Sequence, residues 1–200
     1  MSTETESRYQ AQMARKKAHV DEAIARADTD KGLLLVLTGN GKGKSSSAFG
    51  MVARTLGHGR CAGVAQFIKG SRNTGEELCL GGLPGVDWQV LGEGFTWDTQ
   101  NRERDTAMAE AGWAVAQGML RNPAMHLVVL DELTYCLNYG YLDESRVLAD
   151  IAARCEGQHV VVTGRAASDA LLAMADTVTE MRDVKHAFRE GIRAQAGVDW

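Results

Sequence analysis

The sequence predicts an α/β fold in three layers, a mostly parallel sheet sandwiched between helices. Apolar runs of strand length alternate with helical segments from residue 32 onward. Several runs are continuous rather than alternating, as in strands buried on both faces. The first run enters a glycine- and lysine-rich turn that opens a helix. Strands that alternate with helices pair in parallel through right-handed crossovers, which puts helices on both faces of the sheet.

The elements follow in order. Ser7 to Ala27 is charged and alanine-rich, without Gly or Pro, which favours helix. Its apolar residues, Met13, Val20 and Ile24, are sparse, so the segment is either a frayed tail or a helix that docks on another surface such as a second subunit. Leu33–Leu37 is the first buried strand and Ser45–Leu56 the helix after the turn. Cys61–Ile68 and Val86–Leu91 read as strands, and Arg102–Arg121 as a long helix stopped by Asn122-Pro123. Then come strand His126–Leu130, helix Asp143–Cys155, strand His159–Thr163, helix Ser168–Ala175 and a short strand, Thr177–Met181. Two glycine-rich stretches, Lys69–Gly85 and Gly92–Asn101, interrupt the pattern and belong at the carboxyl edge of the sheet, where open α/β folds bind ligands. The expected organisation is an N-terminal helical segment, 1–30, and one α/β domain, 31–200.

Bulk properties narrow the function classes. Two hundred residues at 44% apolar content sustain one core. The net charge of -4 comes without a basic block, which argues against a nucleic-acid partner. No apolar run approaches the ~20 residues that span a bilayer, so no membrane role is expected. Cys61, Cys79, Cys136 and Cys155 are scattered with no C-x-x-C pair. Four reduced thiols fit a cytoplasmic protein.

The chemistry starts at LTGNGKGKSS, residues 37–46. Gly43-Lys44-Ser45 fills the tail of the phosphate-loop pattern G-x-x-x-x-G-K-[ST], while its leading slot holds Thr38, with Gly39 one position later. In a strand–loop–helix setting the amides of Gly41, Gly43, Lys44 and Ser45 are expected to converge on phosphate oxygens. Lys44 brings charge and the Ser45 hydroxyl a magnesium ligand. LVVLDE, residues 127–132, resembles a Walker B strand, four apolar residues ending in Asp131 and Glu132. Thr163-Gly164-Arg165 ends the next strand with a guanidinium suited to polyphosphate. These motifs predict a P-loop NTPase-like (RecA-like) arrangement and a magnesium–nucleotide site. They leave open whether the phosphate is hydrolysed, transferred or used as a handle.

GEGFTWDTQNRERD, residues 92–105, places Phe95 and Trp97 in a polar, glycine-flanked loop. Exposed aromatics forgo roughly 1.5–3 kcal/mol each of burial free energy, so they either fold onto the core or meet a flat apolar ligand. At this point the chain resembles the ATP:corrinoid adenosyltransferases of bacterial cobalamin synthesis and salvage. The resemblance rests on TGNGKGKSS (38–46), FGMVARTLGHG (49–59), VAQFIKG (64–70), GFTWDTQNRE (94–103), LDELTY (130–135), VVTGR (161–165), ADTVTEMR (175–182) and VKHAFREGIRAQAGVDW (184–200).

The resemblance implies transfer of the 5′-deoxyadenosyl group of ATP to a Co(I) corrinoid with release of triphosphate. It implies a homodimer, magnesium or manganese as the cation, and a flavoprotein reductant. Asn40, Gly41, Lys42, Gly43, Lys44, Ser45, Ser46, Arg54 and Arg165 would contact or neighbour the nucleotide, with Ser45 and Glu132 holding the metal. Phe95 and Trp97 would close the lower face of the corrin ring. The N-terminal helix would cover the partner's active site. The motifs by themselves are also compatible with a phosphotransferase or NTPase, or with a nucleotide-gated corrinoid-binding protein.

Overall fold

A computed structural model describes residues 3–68, 74–92 and 101–200. It divides into two compact units, Met1–Lys31 and Gly32–Trp200. Helix α1, Thr3–Arg26, makes up most of the first. Its Lys17–Asp21 ion pair joins neighbouring turns of an exposed face, and Tyr9, Val20 and Ile24 are exposed. Exposed pairs of this spacing contribute only ~0.3–0.5 kcal/mol.

The second unit runs β1 (Leu34–Thr38), α2 (Lys44–Gly57), β2 (Cys61–Gln66), α3 (Gly75–Leu80), β3 (Val86–Val90), α4 (Arg102–Leu120), β4 (Met125–Asp131), α5 (Leu133–Asn138), α6 (Glu144–Ala152), β5 (His159–Thr163), α7 (Asp169–Met174) and β6 (Thr177–Glu180). A 3₁₀ turn, Ala187–Glu190, follows. The sheet has six strands in the order β3-β2-β4-β5-β1-β6. Every pairing is parallel, so the expected mostly parallel sheet is wholly parallel.

The continuous apolar runs have a direct cause. Side chains alternate faces along a strand. On one face Leu127, Val129 and Val161 pack with Phe49 and Val52 of α2. On the other, Val128, Leu130, Val160 and Val162 pack with Trp113, Leu133, Val147 and Leu171 of α4 to α7. Both faces are covered, so the middles of these strands carry apolar residues at successive rather than alternate positions.

Among the described residues two α-helices were not expected. α3 lies inside the glycine-rich Lys69–Gly85 stretch, where the Thr74 hydroxyl accepts from Glu77 N at 3.3 Å and caps it. α5 follows β4 at once. Each is six residues long, too short to show a 3.6-residue period against its neighbours.

Candidate active site

Strand order brings the three motifs to one edge. β5 lies between β1 and β4. The turn after β1, the Gly164-Arg165 turn after β5 and the Asp131-Glu132 pair at the end of β4 therefore stand side by side at the carboxyl ends of neighbouring strands.

The turn after β1 passes through Gly39 at φ 94 and Gly43 at φ 108, left-handed backbone that glycine adopts without steric cost. Gly39 and Gly41 also make room. A Cβ there would lie 2.4 Å from the Met181 carbonyl oxygen and 2.7 Å from the Arg182 carbonyl group, respectively. The segment after β6 thus lies against the loop. Met181 N donates to Thr38 O at 2.8 Å and Gly41 N to Met181 O at 2.7 Å, and Asp183 N donates to Asn40 Oδ1 at 3.0 Å. This differs from one expectation: the Gly41 amide donates to the chain's own C-terminal segment, and Asn40 Oδ1 accepts from the same segment. The first amides of α2, from Lys44 on, keep the free orientation of a helix start.

Lys44 is 7% exposed. Its ammonium donates to Gly39 O and Gly41 O, both at 2.8 Å. Burial pushes its pKa below the ordinary lysine value, with Glu132 opposing that shift and Arg165 adding to it. Glu132 and Arg165 thus lie within electrostatic reach of Lys44. Ser46 Oγ donates to Glu76 Oε1 of α3 at 3.3 Å. Lys42 pairs with Asp199 near the C-terminus, and this bond, with Gln195 N, holds the Asp199 carboxyl low.

The adjacent carboxylates of β4 have different surroundings. Asp131 is fully buried. Its Oδ1 accepts from Thr163 Oγ1 at 2.8 Å and its Oδ2 from Gln66 Nε2 at 3.0 Å. Gln66 Oε1 in turn accepts from Trp88 Nε1 at 2.8 Å. Thr163 Oγ1 also accepts the Glu132 amide at 2.9 Å. The network links β2, β3, β4 and β5 and fixes the backbone from which Glu132 projects. Glu132 itself sits at φ 60, a left-handed conformation costing a non-glycine residue ~1–2 kcal/mol. Backbone strain of this kind clusters at active sites and ligand clamps.

Gly164 and Arg165 close the middle of the edge. At Gly164 a Cβ would fall 2.0 Å from Thr134 Oγ1. With that contact allowed, the Arg165 carbonyl accepts from Thr134 Oγ1 at 2.8 Å and from Asn138 Nδ2 at 3.1 Å. Arg54 is not brought to this edge. It occupies the last turn of α2, ~15 Å along the axis from Lys44 at ~1.5 Å per residue, among residues that begin strands rather than end them.

Phe95 and Trp97 lie outside the described residues. The anchors of their stretch are described: Leu91 N donates to Gln66 O at 2.8 Å, and Asn101 Oδ1 caps α4 by accepting from Arg104 N at 3.0 Å. The first end therefore leaves from the β2–β3 side of the edge, while beside the second Arg102 Nη2 donates to Gly140 O at 3.3 Å. Sequence reasoning missed Gln66, Thr163, Thr134, the Met181–Asp183 segment and Asp199. A Gln and a Thr at the ends of apolar strand runs were the only available signal.

All four cysteines are free, and burial pushes the Cys136 thiol up to about 12. Among the described residues no cluster of three or more His, Cys, Asp or Glu is placed to hold a metal, and no helix is long and apolar enough to cross a membrane.

Comparison with known proteins identifies the family. The family model described as ATP:corrinoid adenosyltransferase BtuR/CobO/CobP matches residues 30–200. A corrinoid adenosyltransferase of Pseudomonas aeruginosa is 59% identical over all of this chain and 98% of its own length. The corrinoid adenosyltransferase CobA of Salmonella typhimurium is 47% identical, and a corrinoid adenosyltransferase of Escherichia coli strain K12 46%, each over 98% of this chain and all of the relative. The matched span contains every element of the glycine–lysine edge just described, and the chain belongs to the ATP:corrinoid adenosyltransferase family of enzymes.

Proposed function

We propose that this enzyme transfers the 5′-deoxyadenosyl group of ATP to the Co(I) centre of a corrinoid and releases triphosphate. The supporting observation is the pairing of a buried Lys44 on the loop carbonyls with Glu132 held in strained backbone nearby. The electron pair of Co(I) attacks C5′, the C5′–O bond breaks, and its electrons leave on the triphosphate. Cobalt ends formally as Co(III). No side-chain nucleophile is required, because reduced cobalt supplies it.

The chain's task is then orientation and charge stabilisation. Lys44, Arg165 and the first amides of α2 face the growing negative charge of the triphosphate. Ser45 and Glu132 offer hard oxygen donors, which fits Mg²⁺ or Mn²⁺; such ions take one or two protein ligands and complete their shell with phosphate and water. That cation would neutralise part of the triphosphate charge. Phe95 and Trp97 provide an apolar wall for the lower face of the corrin ring, keeping an axial ligand and water off cobalt.

The reading extends to a cytoplasmic homodimer in which residues 1–30 cover the partner's site, fed by a flavoprotein reductant. Its direct test is anaerobic: protein, magnesium-ATP and chemically reduced cob(I)alamin, followed by visible spectrum and phosphate analysis. The expected products are a light-sensitive Co–C corrinoid and stoichiometric triphosphate. ADP or phosphate without a Co–C bond would overturn it. Replacing both aromatics, Phe95→Ala with Trp97→Ala, should cripple the reaction from Co(II) corrinoid under a mild reductant and spare most of the reaction from Co(I). Equal loss in both assays would remove the axial role.

A further inference from the structure

The far end of α2 opens on a cavity of about 430 Å³ lined by Arg54, His58, Arg60, His126 and His159 over Leu35, Met51 and Leu127. It lies where β4 and β5 begin, at the edge of the sheet opposite the phosphate loop. We propose that this cavity is a second anion-binding site, built for a small organic phosphate: the phosphate is held between the guanidinium groups of Arg54 and Arg60, and the organic part rests on the apolar floor.

Charge makes the case first. The protein is acidic overall, with a net charge of -4, yet no Asp or Glu lines this cavity. Among the described residues neither the Arg54 nor the Arg60 guanidinium has an ion-pair or hydrogen-bond partner. Arg146 is paired with Glu110, Arg189 with Asp183, and Arg154 donates to three backbone carbonyls. Two unpartnered guanidinium forks line one cavity, and each fork is suited to phosphate oxygens.

A helix end attracts cations, which could account for Arg54 and His58. That explanation stops there. The terminal carbonyls of α2 are already served by the backbone: His58 N donates to Arg54 O at 3.2 Å, Gly59 N to Leu56 O at 2.8 Å and Arg60 N to Thr55 O at 3.1 Å. Arg60, His126 and His159 come from outside the helix, and no helix end requires them.

One of the histidines, His159, is set to act as a donor. His159 Nδ1 accepts from Leu33 N at 3.0 Å, so in the neutral ring the proton is on Nε2. His126 stands edge-on to it, with ring centroids 4.8 Å apart. Burial, then the charges of His126 and Arg154, hold His159 below its ordinary value, consistent with a neutral ring that supplies one N–H. A cavity of this size falls within the range of small-molecule sites, ~300–1,000 Å³.

The experiment titrates inorganic tripolyphosphate into the full chain carrying labelled histidine, reading the ring signals of His126 and His159. The parent, Lys44→Ala, and the double variant Arg54→Gln with Arg60→Gln are compared, each first shown to melt as a folded protein. The expected result is a saturable shift of both rings in the parent and in Lys44→Ala, with affinity at least about tenfold weaker in the double variant, as for the loss of charge-assisted bonds of ~1.5–3 kcal/mol. No saturable shift in the parent would overturn the site. So would a shift abolished by Lys44→Ala, which would trace it to the phosphate loop, or one of equal affinity in the double variant. The outcome is independent of which reaction the phosphate loop performs.

Discussion

The two ends of α2 handle positive charge differently. At its start Lys44 is buried, its ammonium divided between two loop carbonyls and within reach of Glu132. At its end Arg54 and Arg60 are exposed, and among the described residues no carboxylate meets them. The surroundings of the start are tightly determined, with left-handed glycines, carbonyls too close for a Cβ and a strained glutamate. The end has one left-handed turn, Gly59 at φ 66, but no carbonyl too close for a Cβ and no strained carboxylate. A charge held in a fixed low-dielectric frame can stabilise a transition state without reorganising. A charge left open recruits a ligand but cannot be tuned so closely.

The largest break in this contrast is expected from Lys44→Ala. Turnover should fall roughly 100- to 1,000-fold, as for loss of a preorganised donor, with weaker ATP binding and an unchanged melting profile. Unchanged ATP affinity together with unchanged turnover would place the reaction elsewhere.

Glu132→Gly comes next and separates strain from stability. Relief of the left-handed backbone offsets the greater freedom of glycine in the unfolded chain, so the unfolding free energy should stay within about 1 kcal/mol of the parent. Activity should nevertheless fall about 10- to 100-fold. Denaturant melts beside the adenosylation assay check it; full activity would mean the strain at φ 60 serves packing alone.

A pH profile sharpens the same point. The lowered Lys44 value means its proton leaves at a pH below that of a free lysine, about 10.4. Affinity for tripolyphosphate should therefore be full on the acid side of that value and fall as pH rises through it. Lys44→Arg removes the titration and should flatten the alkaline limb even where affinity is lower. A limb that persists in this variant assigns it to another group.

The smallest effect is expected at the tail. Asp199 occupies Lys42 in competition with any bound phosphate. Asp199→Asn should tighten tripolyphosphate binding by up to about fivefold, the scale of a solvent-screened ion pair. Weaker binding would show that the tail supports the loop rather than competing with it.

Much of the fold was legible because its strands are covered on both faces, which writes LLVL and HLVVL as uninterrupted apolar runs. Lys44, Glu132 and Arg165 were legible because each ends a strand or opens a helix in a recognisable setting. The Gly41 amide was read as a phosphate contact, since nothing local announces a segment arriving from 140 residues away to take its hydrogen bond. Arg54 was placed near the nucleotide by the resemblance alone, and the rise of α2 sets it ~15 Å along the axis from Lys44.

What the amino-acid sequence determined by itself is the alternation of elements, the glycine–lysine turn and the family, because each rests on local pattern and spacing. Which charges meet was decided only in three dimensions. Parallel pairing placed β5 between β1 and β4, and that order put Thr163 where it joins Asp131 to the Glu132 amide. It also gathered two histidines from the starts of separate strands beside the end of α2. Hydrogen bonds and Coulomb interactions act over a few ångströms, and in a parallel sheet residues that close in space are far apart along the chain.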